Sequence, residues 1–204
     1  MNVADPVRRF VDVAAAISGL IVASPILLGV AVATRVTAGR GVLYRQRRLG
    51  LGGRPFELCK FRSMRHPATG REAPEFDAER ITRVGRWVRA TSLDELPSLW
   101  NLLRGEITLV GPRPLPVHYW DRFVGDEYER FSVRPGITGL AQISGRNAVD
   151  WPARLALDVD YVRTRSLRGD LRILIDTIPA VLARSGIDHA EGITMHELPA
   201  DRTS

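Results

Sequence analysis

The chain has 204 residues and 45% apolar side chains, enough for one domain with a substantial core. Its single cysteine, Cys59, excludes an internal disulfide, and its four histidines lack the spacing of a zinc site. The net charge of +6 indicates an anionic partner, which is a nucleic acid, an anionic lipid or a phosphorylated substrate. Basic residues are concentrated between positions 35 and 65, either as a solvated face or as a binding surface.

The first long element is an uncharged segment, 13–34, of 22 residues. A helix needs roughly 20 apolar residues to cross a bilayer, so this segment is long enough. Ser24 and Pro25 interrupt it, and proline removes a helical hydrogen bond and kinks or breaks the helix. Arginines stand on both flanks, which favours placing both ends on the cytoplasmic side. A re-entrant helix-break-helix satisfies both flanks, while a straight span satisfies one, and the pattern leaves both open.

Residues 42–64 predict a β-hairpin with its turn at 49–53. The glycines of that turn could also be a nucleotide-binding fingerprint, but such a fingerprint is followed by a helix, and none is predicted here. In the second strand Lys60 and Arg62 fall on one face, because side chains alternate along a strand. Lys60 is the only lysine of the chain, so either a compact point charge is required there or the arginine-rich composition left one by chance.

The stretch SLDELPSLWN, 92–101, places Asp94 and Glu95 just before an apolar run. Ser92 and Glu95 have the spacing of a helix capping box, whereas Pro97 favours Asp94 as the cap. Either placement predicts that the positive end of the helix favours the ionised carboxylates. Before this stretch, apolar residues at helical spacing among arginines predict an amphipathic helix over 81–88, at a surface or a membrane interface.

Further along, a short strand at 107–110 leads into Gly-Pro-Arg-Pro, where two prolines hold Arg113. A second rigid turn, 134–139, precedes LAQIS, which reads as a strand. Residues 150–183 predict two helices, the second with an apolar stripe. The final nine residues read as a loose tail.

Taken together, these segments resemble the bacterial sugar transferases, specifically the monotopic phosphoglycosyl transferases. The resemblance runs nearly from end to end and rests on seven motifs in order: RRFVD, the Ser-Pro break, KFRSM, SLDELPSLWNLLRGE, LVGPRP, VRPGITGLAQISGRN and LDVDYV. It implies an α+β fold in which 1–36 form a re-entrant membrane hairpin and 37–204 form a small cytosolic α/β catalytic domain with a short β-hairpin and amphipathic interfacial helices. Some motif positions depart from the commoner residues, and none of these departures touches the Asp-Glu pair.

The resemblance also implies an activity and its partners. Such enzymes transfer a sugar 1-phosphate from a UDP-sugar to polyprenyl phosphate, release UMP and use Mg²⁺. The implied location is the cytoplasmic face of the bacterial inner membrane, in contact with anionic phospholipid. Nucleic acid is not an expected partner, and a homodimer is left open.

By motif match, Asp94 is the implied nucleophile of a two-step reaction, and Glu95 stands beside it as a second candidate magnesium ligand or as the group that steers the acceptor phosphate. The implied substrate-binding residues are Lys60, Arg62, Arg89, Arg113, Arg146 and Asp170. A carboxylate that attacks a diphosphate needs cations to neutralise the repulsion, which suits the five basic residues of this set.

Two other classes of protein compete with this interpretation. A catalytically inactive, membrane-anchored scaffold would retain the fold and recruit other enzymes, but the intact Asp94, Glu95, Lys60 and Arg113 argue against it. A soluble nucleic-acid binder would explain the charge and leave the apolar segment unexplained.

Overall fold

The computed structural model describes residues 4–66, 77–144, 150–182 and 197–199. Within them the molecule is rich in helix and has two small two-stranded sheets, which agrees with the predicted α+β class. The helices are α1 (Ala4–Ala38), α2 (Asp77–Arg80), α3 (Arg83–Ala90), α4 (Leu99–Arg104), α5 (Leu140–Ile143), α6 (Trp151–Thr164) and α7 (Leu167–Leu182). Short 3₁₀ turns cover Leu51–Gly53, Leu93–Ser98, Val117–Arg122 and Gly125–Ser132.

The predicted hairpin is confirmed. Strands β1 (Leu43–Leu49) and β2 (Pro55–Phe61) pair antiparallel, from Leu43 opposite Phe61 to Leu49 opposite Pro55. The middle of β2 is held by Asn101 of α4, whose side-chain oxygen accepts from the amide of Cys59 at 3.0 Å. The same side chain donates to the carbonyl of Glu57 at 2.7 Å, so the buried Asn101 fixes α4 against β2.

Strands β3 (Thr108–Val110) and β4 (Gly136–Thr138) form a parallel pair. LAQIS, predicted as a strand, is instead the short helix α5. The strand that pairs with β3 ends at Thr138, and Leu140 and Ile143 then turn inward to pack beside Tyr161 and Ile173. Tertiary packing therefore overrides the local strand propensity of this segment.

Helix α1 is continuous through Pro25, so the structure has one helix where the sequence predicts two helices and a break. Proline at position 25 cannot donate to the carbonyl of Ile21, four residues earlier. The hydroxyl of Ser24 donates to that same carbonyl at 2.8 Å. Ser24 thus satisfies the backbone carbonyl that the proline leaves free.

Both halves of α1 pack against the rest of the molecule. In the first half, the carboxylate of Asp12 accepts from Thr108 and from the amide of Leu109, at 2.9 Å in each case. In the second half, Val30 belongs to a buried cluster with Phe61 and Val88. Between these contacts α1 exposes large apolar side chains, among them Ile21, Val22 and Leu28 at 68, 76 and 67%.

The remaining helices mostly agree with the sequence predictions. Helix α3 is capped by Thr82, whose hydroxyl accepts from the amide of Gly85 at 2.8 Å, and it buries Val88 while Trp87 stays exposed. Helices α6 and α7 match the two that were predicted. The apolar stripe of α7 faces outward at three positions, Leu171, Ile175 and Ile178, while Ile173 supplies the buried contact.

The predicted loose tail is wrong where the structure describes it. Leu198 is fully buried in the largest core cluster, beside residues such as Trp151 and Leu155. The guanidinium of Arg122 donates to the carbonyl of Leu198 at 2.5 Å and pairs with Glu197. A single apolar side chain inserted between two helical layers anchors this part of the chain, and local composition gives no sign of it.

Candidate active site

Two cationic side chains from separate elements meet at Glu95. Lys60 of β2 places its ammonium 2.6 Å from Oε1 of Glu95, and Arg113, three residues after β3, places a guanidinium nitrogen 3.2 Å from the same oxygen. The predicted site residues Lys60, Glu95 and Arg113 are therefore brought together by the fold, although they are up to 53 positions apart in the chain.

Glu95 is held as an anion. Burial by itself raises the pKa of this carboxyl, but the charges of Lys60 and Arg113 and their hydrogen bonds outweigh burial and hold the pKa well below its usual range. Glu95 therefore stays ionised across the physiological pH range and carries a fixed negative charge beside Asp94.

Asp94 behaves in the opposite way. Burial raises its pKa to about 6; the charge of Glu95 adds to that rise, while Lys60 and Arg89 oppose it. The expectation that a helix N-terminus favours the ionised form is not what dominates here. Asp94 is still largely anionic at pH 7, and it forms no ion pair with any other residue that the structure describes.

The predicted capping box is not formed. Ser92 lies in the left-handed region at φ 57° and makes no side-chain cap hydrogen bond. Asp94 and Glu95 occupy the 3₁₀ turn Leu93–Ser98. The α-helix starts only at Leu99, so Pro97, which has no amide hydrogen to donate, does not fall inside it. A non-glycine residue at positive φ costs about 1 kcal/mol or more, and such strain is concentrated at functional sites. Asp94 and Glu95 thus lie in a strained turn, and neither is used to cap a helix.

The loop that carries Arg113 is held at four consecutive carbonyl groups. The carbonyl of Pro112 accepts from the amide of Gly136 at 2.9 Å, and that of Leu115 accepts from the amide of Leu49 at 2.8 Å. Between them, the carbonyl of Arg113 accepts from Arg130 at 2.8 Å and that of Pro114 from Arg48 at 3.0 Å. The prediction of a rigid Gly-Pro-Arg-Pro loop agrees with this arrangement, in which every acceptor of 112–115 has a partner.

Arg130 depends on a buried carboxylate. Two of its nitrogens donate to Oδ2 of Asp158 at 2.8 and 3.1 Å, and both residues are almost wholly inaccessible to solvent. Burial raises the pKa of Asp158, although the charge of Arg130 opposes it. The pair connects α6 to the backbone of Arg113 and so supports the site from behind.

A cavity opens beside Glu95. Its floor and walls combine three cations, one carboxylate and apolar or backbone surface, from Arg48, Leu58, Lys60, Glu95, Ser98, Ile107, Arg113, Pro114, Gly136 and Ile137. Asp94 is not part of this lining, although the charges of Lys60 and Arg89 act on it. A concave site with convergent charges is where an anionic substrate is expected to bind.

The other predicted site residues are distributed differently. Arg89, at the end of α3, acts on Asp94 through its charge and buries one guanidinium nitrogen without a hydrogen-bond partner. Arg62 turns away from Lys60 and contacts the carbonyl of Arg40 and the ring of His66. Sharing a strand face therefore does not bring Lys60 and Arg62 to one target. Arg146 lies outside the described residues.

Asp170 anchors α1. Its carboxylate accepts from Arg8 at 2.6 Å and from the hydroxyl of Tyr161 at 2.8 Å, and it does not line the cavity. Tyr161 also lies 2.9 Å from the carbonyl of Val110, directly before the Arg113 loop. The contacts of Asp170 thus tie the start of α1 to the base of the site.

Within the described part of the chain, no group of three or more His, Cys, Asp or Glu side chains is placed to hold a metal ion. Mg²⁺ is usually bound by one or two carboxylates together with substrate phosphates and water. Glu95 uses Oε1 for both of its ion pairs, and Asp94 stands next to it. These two acids fit a magnesium ion that a bound diphosphate would complete.

Sequence reasoning missed Arg48, Arg130 and Asp158. Arg48 and Arg47 are adjacent in the basic run, and strand alternation puts them on opposite faces, but nothing local indicates which face meets the site. Asp158 lies within the quoted LDVDYV motif, and an acid at that position could have been matched to one of the many arginines. Only the packing of α6 against Gly125–Ser132 selects Arg130 as its partner.

The model of the bacterial sugar transferase family matches residues 3–184. An uncharacterized sugar transferase of Bacillus subtilis is 42% identical over 92% of this chain and 93% of its own length. A UDP-glucose:undecaprenyl-phosphate glucose-1-phosphate transferase of Caulobacter vibrioides is 40% identical over 86% of this chain and 69% of its own. An undecaprenyl-phosphate galactose phosphotransferase of Salmonella typhimurium is 38% identical, and this chain spans 41% of its length.

The chain therefore belongs to the bacterial sugar transferase family. The predicted resemblance is confirmed, and so is the enzyme class, a phosphoglycosyl transferase.

Proposed function

We propose that this protein transfers a sugar 1-phosphate from a UDP-sugar to undecaprenyl phosphate and releases UMP, as an early membrane step of bacterial polysaccharide or other glycoconjugate synthesis. The observation that carries the proposal is the division of roles between two adjacent acids. Glu95 is fixed by Lys60 and Arg113, while Asp94 is unpaired and has a pKa of about 6. One acid is thus structural and the other is available to react.

The reaction proceeds in two displacements. In the first, a carboxylate oxygen of Asp94 attacks the phosphorus that bears the sugar, and the bond from that phosphorus to the bridging oxygen breaks, so UMP leaves and an acyl phosphate remains. In the second, an oxygen of undecaprenyl phosphate attacks the same phosphorus, and the bond to Asp94 breaks. The products are the diphosphate-linked sugar and a free carboxylate.

The cations lower the barrier to both steps. A carboxylate approaching a diphosphate is repelled, and fixed charges that offset this repulsion need no reorganisation during the reaction. Lys60 and Arg113 are preorganised through Glu95, and Arg89 faces Asp94 from α3. A magnesium ion held by Asp94, Glu95 and the substrate would add a further positive charge at the phosphates.

The membrane location follows from α1. Helix α1 packs one face against the catalytic body along its length, through Asp12, Ala16, Ala23 and Val30, and exposes apolar side chains on its other face. The helix is apolar and long enough to span a bilayer by length and composition alone, but a straight span would have to remove this buried face from the rest of the molecule. We therefore favour a re-entrant helix that enters the cytoplasmic leaflet and returns.

Other exposed apolar side chains suit the interface. Trp87 on α3 and Trp100 on α4 are 56 and 52% exposed, and the outward residues of α7 form one face. Tryptophan and amphipathic helices favour the boundary between head groups and acyl chains. These elements would rest on the membrane with the cavity directed toward the cytoplasm, where UDP-sugars are found.

The direct test is UMP release from a panel of UDP-sugars with undecaprenyl phosphate and Mg²⁺ in detergent. Turnover with at least one sugar supports the proposal. If the full panel gives no UMP while the protein is folded, the chain acts as the membrane-anchored scaffold that the intact acids argue against.

A further inference from the structure

Arg48 is a cation without an anionic partner in the wall of the active-site cavity. One guanidinium nitrogen donates to the carbonyl of Pro114 at 3.0 Å and another to Oε1 of Gln46 at 2.6 Å, and both acceptors are neutral. Its Nε is buried without a hydrogen-bond partner, and no ion pair joins Arg48 to any residue in the described part of the chain. Arg48 is half-buried, and a cation in such a position usually has a carboxylate partner, so its charge indicates a ligand.

The charges around Arg48 support this reading. Burial, followed by the nearby charge of Arg113, lowers the pKa of Arg48 to about 10, and Glu95, Tyr44 and Tyr119 act in the other direction. Arg48 therefore remains charged at neutral pH beside a second arginine. The cavity lining holds three cations and one carboxylate, a surplus of two positive charges, and an anion of about two charges would balance it.

The direction of the reaction decides which part of the substrate lies there. This step rests on the proposed function. In an in-line displacement the leaving oxygen is opposite the attacking one. If Asp94 attacks the phosphorus that bears the sugar, the remaining phosphate must lie on the side of that phosphorus away from Asp94. The cavity is lined by Glu95, Arg113 and Arg48 and not by Asp94, so it is the place for that phosphate.

We propose that Arg48, together with Arg113, binds the phosphate attached to the uridine and stabilises it as UMP leaves. Arg48 donates to the carbonyl of Pro114, the residue after Arg113. This hydrogen bond holds the two guanidinium groups in a fixed relation to each other. Arg48 is thus a substrate-binding residue of the donor site. It binds the nucleotide phosphate and does not contribute to sugar specificity.

Two variants separate the charge of Arg48 from its support of the loop. Arg48→Gln removes the charge and the bond to Pro114. Gln46→Glu keeps the arginine in place and gives it an ion-pair partner 2.6 Å away, so the charge of Arg48 is offset while the loop stays supported. Arg47→Gln is the matched control, since Arg47 is adjacent, equally charged and exposed on the other face of β1.

The measurement is the affinity for UMP and for uridine by calorimetric titration of the full chain in detergent. A lost charge-assisted hydrogen bond weakens binding by roughly tenfold to a hundredfold, so Arg48→Gln and Gln46→Glu should each weaken UMP by about that factor. Uridine, which lacks the phosphate, should bind all forms equally, and Arg47→Gln should bind UMP like the wild type.

Each outcome has one meaning. Unchanged UMP affinity in Gln46→Glu shows that Arg48 acts only as a loop support and overturns the inference, even if Arg48→Gln is impaired or does not fold. An equal loss for UMP and uridine also overturns it, because a phosphate contact cannot affect uridine. Wild-type turnover of a UDP-sugar is measured in parallel, so failure of the inference is distinguished from failure of the proposed function.

Discussion

The ammonium of Lys60 lies 2.6 Å from Oε1 of Glu95, so the acid next to the proposed nucleophile is already paired before any substrate binds. This contact joins β2 of the hairpin to the strained turn that carries both acids. It keeps Glu95 charged, while Asp94, its neighbour in the chain, forms no ion pair with any residue that the structure describes.

Asp94→Asn should abolish turnover, since an amide is a poor nucleophile toward phosphorus. Wild-type protein incubated with a UDP-sugar alone should gain a phosphosugar mass on the peptide that contains Asp94, and the variant should not. Glu95→Gln is the control for the site of attachment, because it changes the adjacent acid. An adduct on any other peptide would refute the assignment.

The rate of adduct formation should fall at low pH. Asp94 must be ionised to attack, and its raised pKa of about 6 means that kcat/KM decreases about tenfold per pH unit below that value. Measuring the first half-reaction, with no polyprenyl phosphate present, excludes titration of the acceptor. A profile that stays flat down to pH 4.5 would show that Asp94 has an ordinary pKa.

The raised pKa of Asp94 also affects the stability of the fold, and here the ionised form is the unfavourable one. Because the folded state binds the proton of Asp94 more tightly than the unfolded state, the ionised carboxylate destabilises the fold above pH 6, and this cost vanishes below about pH 4. Asp94→Asn should therefore raise Tm at pH 7.5 and leave it unchanged near pH 4. A lower Tm for the variant at pH 7.5 would mean that the charge is well solvated or paired.

Lys60→Ala and Arg113→Ala should each lose about a hundredfold in kcat/KM, the scale of removing a cation from a reacting phosphate. Both variants should remain folded and bound to membranes. Arg45→Ala is a control, since Arg45 lies on the same hairpin and makes an exposed ion pair with Glu57. Activity within a few-fold of wild type for the two site variants would place these residues in a lipid-facing surface instead.

Breaking the support behind Arg113 should cost stability as well as rate. Asp158→Asn leaves Arg130 buried without its anion, which costs about 3–5 kcal/mol and lowers Tm by roughly 10 °C. Glu129→Gln is the matched control, because the Arg163–Glu129 pair connects the same two elements at the surface and should contribute less than about 1 kcal/mol. Similar Tm values for the two variants would show that the buried pair is dispensable.

Topology is tested by cysteine labelling in a Cys59→Ser background, with single cysteines at Val3 and Arg40. A re-entrant α1 keeps both positions in the cytoplasm, so an impermeant maleimide should label neither in intact spheroplasts and both after permeabilisation. Pro25→Ala, in which the steric cause of a bend is removed, provides the comparison. Labelling of position 3 from outside in the native sequence would establish a straight span.

Local patterns were sufficient for much of the architecture. Alternation and the glycine turn predicted the β1–β2 hairpin, and helical spacing predicted α3, α6 and α7. The motifs nominated Lys60, Glu95 and Arg113 as site residues, and the fold brings them within ion-pair distance. The hairpin and the helices are predictable from sequence because each of their patterns depends on residues within a few positions of one another.

The features that depend on contacts between residues far apart in the chain were decided by the tertiary structure. The capping box fails because Pro97 and a strained Ser92 move the start of α4, and the pKa of Asp94 rises because burial, which no local pattern measures, outweighs the field of a short turn. Arg62 and Lys60 diverge, Asp170 holds Arg8 and Tyr161, and Leu198 enters the core. Which arginine faces a cavity and which faces water is settled by packing between elements far apart in sequence, so Arg48 emerges only from the folded chain.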